Sequence, residues 1–451
     1  MNSENPMEEP MRFNAQQWKQ LLQWQLDGKS YQELISPEIE GIQIKPFYDA
    51  EDLPKIVPDL EHPKKVYLQE RIRSKDDQQG WISAQEALAK GADNLRITWL
   101  GSSTDALALM NKLGAFPVVQ HWVFYSVTEE FIDQFSRLSP AVKDTVRIEW
   151  DPLAMLAITG NWVTTQQNDL AHWRQMHTLL ALDHLCIDVS RYQESGGSII
   201  QQLAYTMAQL EVYFNLLPEP LKSSDQVISQ VHVYTVNSGD YFMEMAKIKA
   251  LRWLVVSMGS WYGLSLTCHV TVRPSRRNKT AYHTTQNTLK SAADLLSGLM
   301  GGASALAPLA HNELIQSGDV QAQQEAFHQL AILVHETGLV GQDLGAGSYY
   351  VAYLTDQWAQ KALALNQSIR NSGGWIKAMN QGIIQQKIEQ HHEKTLKAYQ
   401  ALERKQPSDK DLDTTHWTKS PFSRFVPKKT SIALLPVRRL SEADERKWYR
   451  L

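Results

Sequence analysis

The feature that most constrains the fold of this chain is a regular alternation of short apolar runs with longer stretches of helical period. One helical stripe between the runs comprises Ile199, Leu203, Met207, Leu210 and Phe214, which recur at the spacing of one helix face. Alternating strands and helices imply right-handed crossovers and a parallel sheet. The apolar runs lie at residues 66–72, 95–101, 122–127, 146–151, 185–190, 231–237, 266–272 and 305–310.

The number of apolar runs predicts the fold class. Eight strand–helix units close a (β/α)8 TIM barrel, so we expect an α/β barrel. An open doubly wound sheet is the alternative, because its strands are also buried on both faces. The count of eight favours the barrel. We expect an N-terminal arm over 1–63, the barrel with two trailing helices over 64–404, and a proline-containing linker with a C-terminal tail over 405–451.

The arm contains a predicted amphipathic helix. Trp18, Leu21, Leu22 and Leu26 lie at helical spacing, and Gly28 follows as a stop signal. A helix with one apolar face must cover something, either its own barrel or another chain.

Composition excludes several classes of protein. With 45 basic and 49 acidic residues the net charge is −4, so we expect no nucleic-acid partner and no membrane surface partner. No run approaches the ~20 apolar residues of a spanning helix, and the first residues, MNSENPMEEPMRF, lack the apolar core of a signal peptide. Cys186 and Cys268 lie in strand-like runs and are expected to be buried free thiols. Together these features predict a cytoplasmic protein.

Functional residues of a parallel barrel belong at the carboxyl ends of its strands. The loop RPSRRNKT (273–280) places several cations there, and guanidinium groups suit a phosphate. The alternative is a solvated loop, or one salt-bridged to a partner subunit. We expect His391 and His392 to lie on a solvated helix face, with no metal site. The candidate barrel-mouth or coenzyme-A-binding residues are Arg71, Arg191, Gln193, Glu194, Arg273, Arg276 and Lys279.

Four long segments, in order, resemble the methylmalonyl-CoA mutase family. They are GDYFMEMAKIKALRWL (239–254), TAYHTTQNTLKSAADLLSGLMGGASALAPLAHNEL (280–314), LGAGSYYVAYLTDQWAQKALAL (344–365) and GGWIKAMNQGIIQQKIEQ (373–390). The resemblance runs from about Phe13 to the RRLSEADE segment. DPLAMLAITGNW (151–162) and VTVRPSRRNKT are more similar to the small, non-catalytic chain of the two-chain bacterial enzyme.

The resemblance implies a barrel threaded by coenzyme A, combined in the family with a cobalamin domain whose DxHxxG histidine ligates cobalt. This sequence contains no DxHxxG motif. Aligning Gln193 and Glu194 with the family's segment after its Tyr-His pair puts Ser190 and Arg191 where the Tyr and His stand. We therefore expect no catalytic residue and no cofactor on this chain.

The function that the resemblance implies is that of a small subunit. It would pair as a heterodimer with a large catalytic subunit that binds adenosylcobalamin, and the holoenzyme would interconvert methylmalonyl-CoA and succinyl-CoA. Two alternatives stay open. One is a stand-alone acyl-CoA-binding barrel, in which Arg273, Arg276 and Lys279 hold phosphates. The other is an active split mutase working with a separate cobalamin protein, against which Ser190 and Arg191 argue.

Overall fold

A computed structural model describes residues 15–54, 60–218, 228–316, 318–403, 420, 422, 427 and 429–448. Its centre is one sheet of eight parallel strands. Every strand overlaps one of the eight apolar runs of the sequence. The strands are β1 Tyr67–Ser74, β2 Asn94–Trp99, β3 Val119–Phe124, β4 Val146–Glu149, β5 His184–Asp188, β6 Gln230–Asn237, β7 Thr267–Pro274 and β8 Ala305–Leu306.

The strand order shows that the sheet is a barrel. Neighbouring strands follow one another from β5 through β8, and β8 then pairs with β1, whose neighbours continue through β2 and β3 to β4. A doubly wound sheet would reverse its strand order at an internal point, which this sheet does not do. β4 and β5 meet without a full ladder, and the Ile148 amide donates to the His184 ring instead, at 3.2 Å. The predicted (β/α)8 fold is confirmed, and the barrel is nearly closed.

Helices connect successive strands and cover the outside of the barrel. Their apolar faces pack on outward-facing strand residues such as Ile97, Trp99 and Trp122, all buried. The α-helices are α1 Ala15–Gln25, α2 Asp77–Ala89, α3 Ala106–Leu113, α4 Glu129–Ser136, α5 Pro140–Thr145, α6 Pro152–Thr159, α7 Gln166–Leu180, α8 Ser190–Glu194, α9 Ile199–Leu216, α10 Tyr241–Trp261, α11 Thr284–Gly301, α12 Val320–His335, α13 Tyr349–Asn371, α14 Gly374–Asn380, α15 Ile383–Glu403 and α16 Glu442–Trp448.

The described part of the N-terminal arm contains α1, two short 3₁₀ turns and an antiparallel pair of two-residue strands, Ser36–Pro37 with Gln43–Ile44. Glu40, in the turn of that pair, accepts hydrogen bonds from the amides of Ile199 and Ile200 at 2.8 and 2.9 Å. These are the first two residues of α9, whose amides have no partner inside the helix. The arm is thus joined to the barrel by a carboxyl group that caps a barrel helix.

The described residues 429–448 pack against the barrel instead of forming an extended tail. Leu435 is buried, and its amide donates to the Ala157 carbonyl at 2.8 Å. The amide of Ile432 likewise donates to the carbonyl of Gly160 at 3.1 Å. The linker that we predict after residue 404 lies mostly outside the described residues, and the predicted domain boundaries stay predictions.

The two cysteines are free and buried, as their strand positions predict. Among the residues that the structure describes, every helix is too short or too polar to cross a bilayer.

Candidate functional site at the barrel lumen

The strands turn a polar face toward the barrel lumen. Side chains alternate along a strand, so the apolar residues that face the helices leave every second position to the lumen. The register places Arg71 of β1 beside Arg96 of β2, and Arg96 beside His121 of β3. Continuing the same row, His121 lies beside Arg147 of β4. The lumen therefore holds cationic and imidazole side chains at its middle.

An ion-pair network built on Arg96 crosses the lumen. The Arg96 guanidinium donates to both oxygens of Glu149 on β4, and its Nη2 also donates to Asp188 on β5 at 2.9 Å. On its other side it lies over the Tyr234 ring of β6, 3.7 Å from the ring centre. Burial would lower the pKa of Arg96, but Glu149 and Asp188 raise it above its ordinary value. One buried cation thus links four strands.

Four histidines, His121 among them, form a histidine layer in the lumen. The His232 ring of β6 lies 4.8 Å from that of His269, 5.3 Å from that of His121 and 6.0 Å from that of His184, between ring centres. Burial lowers the pKa of all four rings, which keeps them uncharged at neutral pH. His184 illustrates the neutral form, since its Nε2 accepts an amide hydrogen and its Nδ1 lies 2.8 Å from Asp183.

These rings do not form a metal centre. Among the described residues, no group of three or more histidine, cysteine or carboxylate side chains is arranged to hold a metal ion. The layer fills the lumen with neutral polar groups.

The turn after β5 carries a second ion-pair cluster. Glu194 accepts from Arg273 Nη2 at 2.6 Å, and from Arg276 Nε and Nη2 at 3.2 and 3.0 Å. Burial alone would raise the pKa of Glu194, but Arg276 and Arg273 hold it well below its usual range. The structure brings together four of the candidate residues here, because Gln193 also accepts from Ser275 in the same loop as the arginines, at 2.6 Å.

Two glycines give the QESGG turn its shape. Gly196 has φ +105°, a conformation that side chains rarely adopt, and a Cβ there would lie 2.7 Å from the Cβ of His392. A Cβ on Gly197 would lie 2.7 Å from the carbonyl oxygen of Tyr192. Ser198 then caps α9 through a capping box with Gln201. The turn is a compact entry to a helix, closely packed from outside.

The serine and aspartate at the ends of β4 and β5 have structural hydrogen bonds. Ser190 donates its hydroxyl to Asp188 at 2.6 Å. Asp151 caps α6 through the Ala154 amide and accepts from the Asp188 amide at 3.1 Å and from the Tyr213 hydroxyl at 2.5 Å. Asp151 therefore ties the two strand ends together where their ladder is incomplete.

The remaining cations of the 273–280 loop are buried, and each donates a hydrogen bond to another side chain. Lys279 is 2% exposed and donates to Asp294 at 2.7 Å. Arg277 donates to the Nδ1 of His392 at 3.0 Å. The prediction of a solvated face for His391 and His392 is wrong, because His392 is buried and His391 lies 2.8 Å from the carbonyl of Gly196. The solvated-loop alternative is wrong for Arg273, Arg277 and Lys279, which are all buried. Coenzyme A binding by Arg273, Arg276 and Lys279 stays a prediction.

The C-terminal segment lies over this loop. The amide of Arg438 donates to the Glu194 carbonyl at 2.8 Å, and that of Leu440 donates to the Arg277 carbonyl at 3.0 Å. Glu445 is buried and accepts from the Ala281 amide at 2.9 Å. Residues 429–448 thus cover one side of the barrel mouth.

Two candidate residues, Arg71 and Arg191, differ from the others in being unpaired. Neither is joined to a carboxylate at ion-pair distance within the part of the chain that the structure describes. Burial lowers the pKa of each, and repulsion from Arg273 and Arg276 adds to the effect. Arg71 nevertheless has an exposed surface. Solvent can therefore still reach the Arg71 side chain.

Comparison with known proteins places this barrel in a family. The family model described as methylmalonyl-CoA mutase matches residues 145–406, more than half of the chain. The chain belongs to the methylmalonyl-CoA mutase family. The matched residues contain β4 to β8. They therefore include every residue of the two ion-pair clusters except Arg96.

Relatives of this family include chains named as small and as large subunits. The methylmalonyl-CoA mutase small subunit of Porphyromonas gingivalis is 23% identical over 77% of this chain and 61% of its own length. That of Streptomyces virginiae is 23% identical over 80% of this chain and 63% of its own length. The 2-hydroxyisobutanoyl-CoA mutase large subunit of Aquincola tertiaricarbonis is 29% identical over 50% of this chain and 41% of its own length. The chain therefore spans less than two thirds of each of these relatives.

The histidine layer and the Arg96 network are absent from our sequence-based candidates. A signal for them exists, since most of the strands contain a basic or imidazole residue at an alternating position. Examples are Arg96, His121, His184, His232 and His269. Their common layer becomes visible only with the strand register, which the sequence does not specify.

Proposed function

We propose that this chain is the non-catalytic small subunit of an adenosylcobalamin-dependent methylmalonyl-CoA mutase, and that it pairs with a large cobalamin-binding subunit. The Arg96 network is the observation that carries the proposal. It spans the lumen from β2 to β4 and β5, where a thioester threaded along the axis would need room. Breaking a buried ion pair by removing one partner costs about 3–5 kcal/mol, so this network resists displacement.

The residues at the rim support the same reading. Ser190 and Arg191 stand where the resemblance implies a Tyr-His pair, and the Ser190 hydroxyl is engaged by Asp188. A guanidinium does not exchange a proton near neutral pH, so Arg191 cannot serve as a general acid or base. Glu194, the remaining carboxylate of the turn, is held ionised by two arginines.

Cobalamin does not fit the residues of this chain as a resident cofactor. The resemblance assigns the cobalt ligand to the histidine of a DxHxxG motif, and this sequence contains no such motif. Residues 429–448 also cover part of the barrel mouth. The proposal therefore assigns the cofactor to the large subunit and derives no chemical step on this chain. It places the assembly in the cytoplasm, which suits two free thiols.

The N-terminal arm offers a surface for the large subunit. Trp24 of α1 is 78% exposed, and Phe47 is 41% exposed. A groove of about 570 Å³ lies between the arm and the start of α13. Its lining is aromatic, which is typical of the anchoring residues of protein interfaces. The groove is lined by Ile44, Lys45, Pro46, Phe47, Tyr48, Gly347, Ser348, Tyr349 and Tyr350.

Mass photometry of this chain mixed with a cobalamin-binding large subunit tests the proposal. We expect a one-to-one complex, and we expect Trp24→Ala to weaken it by about tenfold or more, as loss of a tryptophan hot spot does. Trp261→Ala is the matched control, because Trp261 is also exposed but lies at the far end of α10. Absence of a complex with the wild-type chain contradicts the proposal.

Turnover distinguishes a structural subunit from an active one. The isolated chain with adenosylcobalamin, alone or with a separate cobalamin-binding protein, should not isomerise methylmalonyl-CoA, whereas the two-subunit complex should. Isomerisation without the large subunit would establish the split-mutase alternative instead.

A further inference from the structure

The groove between the arm and α13 contains tyrosine rings that already hold a cation of this chain. The Tyr48 ring lies 5.0 Å from the Tyr350 ring and 5.1 Å from the Tyr353 ring, between ring centres. The Lys45 ammonium lies 6.0 Å from the ring centres of both Tyr48 and Tyr353, and it is paired with Asp52. A tyrosine face attracts a cation through the negative potential of its π electrons. The lining is therefore suited to cations as well as to apolar groups.

More ring surface of the same groove faces solvent. Tyr349 is 39% exposed and Phe47 is 41% exposed, and both line the groove. The Phe47 ring is supported from α1 by the Trp18 ring, 4.4 Å away between ring centres. The groove volume of about 570 Å³ lies in the range of about 300–1,000 Å³ that is typical of binding pockets. The groove thus has room for side chains of a partner.

Carboxylates without an ion-pair partner lie around this groove. Within the described part of the chain, Asp49, Glu51 and Asp240 belong to no salt bridge. Asp49 and Glu51 directly follow the lining residues in the sequence. Asp240 precedes α10, where the Phe242 ring lies 5.9 Å from the Tyr350 ring of the lining. Three carboxylates therefore surround the groove without a counter-charge.

The charge balance of the groove is consequently negative. Lys45 is the one charged residue of the described lining, and Asp52 neutralises it. Burial, followed by the negative charge of Asp240, raises the pKa of Tyr350 to about 12. A carboxylate that disfavours a negative charge on this ring favours a positive charge beside it. The electrostatic complement of the groove is a cation.

We propose that this groove receives a lysine or arginine side chain of the large subunit. The aliphatic stem of such a side chain would pack on Pro46 and the tyrosine rings, while its charged end lies near a ring face and the surrounding carboxylates. A wholly apolar segment would leave the carboxylates uncompensated at the edge of the interface. This inference rests on the proposed function, because it takes the large subunit as the partner, and it adds the chemistry of the contact.

Isothermal titration calorimetry of the full chain with the cobalamin-binding large subunit tests the charge. Glu51→Lys reverses one carboxylate and should weaken the complex by about fivefold or more at low ionic strength. Between about 0.05 M and 0.3 M salt, the affinity of the wild type should fall more steeply than that of Glu51→Lys, because salt screens the attraction. Glu86→Lys is the matched control, since Glu86 is exposed on α2, a helix that contributes no residue to the lining. Its affinity should equal that of the wild type.

A pair of substitutions at Tyr349 tests the ring face. Tyr349→Leu removes the π electrons and should weaken the complex by about threefold or more, whereas Tyr349→Phe keeps a ring face and should bind within about twofold of the wild type. Tyr349 is partly exposed at the start of α13, so both variants should melt near the wild-type temperature. Equal affinities of the leucine and phenylalanine variants would overturn the cation–ring contact.

The outcomes separate this inference from the proposed function. Absence of a complex with the wild-type chain overturns both. A complex that Trp24→Ala weakens, but that Glu51→Lys and Tyr349→Leu leave unchanged, overturns only the cationic contact. A loss with Tyr349→Leu but none with Glu51→Lys, together with an affinity that does not depend on salt, assigns the groove to an apolar segment. Self-association of the chain alone that Glu51→Lys abolishes assigns it to a second copy, and either result overturns the proposal.

Discussion

At the scale of single residues, the charge balance of the barrel mouth depends on Glu194. It is 2% exposed and, among the described residues, is the one carboxylate that pairs with both Arg273 and Arg276. Glu194→Gln leaves two guanidinium groups close together without their counter-charge. We expect the free energy of unfolding to fall by about 3 kcal/mol at pH 7, at the low end for a broken buried pair because Arg276 is partly solvated. Urea unfolding followed by circular dichroism measures it.

Glu61→Gln is the matched control for this change. Glu61 pairs with Lys64 at 3.0 Å, but both side chains are largely exposed, so the loss should stay within about 1 kcal/mol. The pKa of Glu194 is depressed in the folded protein. The stability that its ion pairs contribute is therefore fully present above the unfolded carboxyl pKa of about 4.3, and it is lost as the pH falls through the folded pKa. Equal losses for the two variants at pH 7 would contradict the assigned role.

At the scale of elements, the arm and α9 are joined by the Glu40 carboxyl group. Burial raises the pKa of Glu40 to about 7, and its two oxygens accept one amide hydrogen each, Oε1 from Ile199 and Oε2 from Ile200. Glu40→Ala removes the acceptor for both Ile199 and Ile200, so we expect a loss of about 1 kcal/mol, as for other lost helix caps. Hydrogen exchange at these two amides should also become faster.

Glu51→Ala is the control within the same arm. Glu51 is exposed, and its substitution should leave the exchange of Ile199 and Ile200 unchanged. If Glu40→Ala left both amides as protected as in the wild type, the arm would be held by contacts other than this cap.

The elements also show what sequence reasoning can reach. The eight strands are predictable, because their outward residues, such as Ile97 and Trp122, must be apolar to pack under helices. The packing of residues 429–448 is not, because it depends on backbone carbonyls such as those of Ala157 and Gly160, which any sequence supplies. The hydrophobic pattern predicts which face of a helix or strand is buried. It does not predict which distant backbone carbonyls accept hydrogen bonds from a C-terminal segment.

At the scale of the whole molecule, one part of the candidate site is predictable from the sequence and another part is not. The sequence predicts that Gln193, Glu194, Arg273 and Arg276 gather at the barrel mouth, because strand ends of a parallel barrel share one rim. It does not predict that Glu194 pairs with both Arg273 and Arg276 while Arg71 pairs with no carboxylate among the described residues. Pairing depends on the direction of long side chains, which the strand order alone does not fix.

The polar lumen gives the whole molecule a sensitivity to acid that can be measured at His232. Its ring contacts those of His121, His184 and His269. The charged groups that act on the four rings are Arg96, Arg147, Asp183 and Arg252. Its pKa is lowered by folding, so the unfolded chain binds a proton below its own pKa of about 6.5 that the folded chain does not bind. The stability that neutral His232 preserves is present above that pH and is lost as the pH falls.

His232→Gln removes this proton-binding difference but keeps a polar side chain. Raised carboxyl pKa values, such as those of Glu40 and Asp151, act in the opposite direction on both proteins and cancel in the comparison. Between pH 7 and pH 5.5 the variant should therefore lose about 1 kcal/mol less stability than the wild type in urea unfolding. His328→Gln, at an exposed position of α12, should follow the wild type. Parallel losses in all three proteins would mean that the His232 ring takes up a proton in the folded barrel, and the lumen would then have to accommodate a charge beside Arg147.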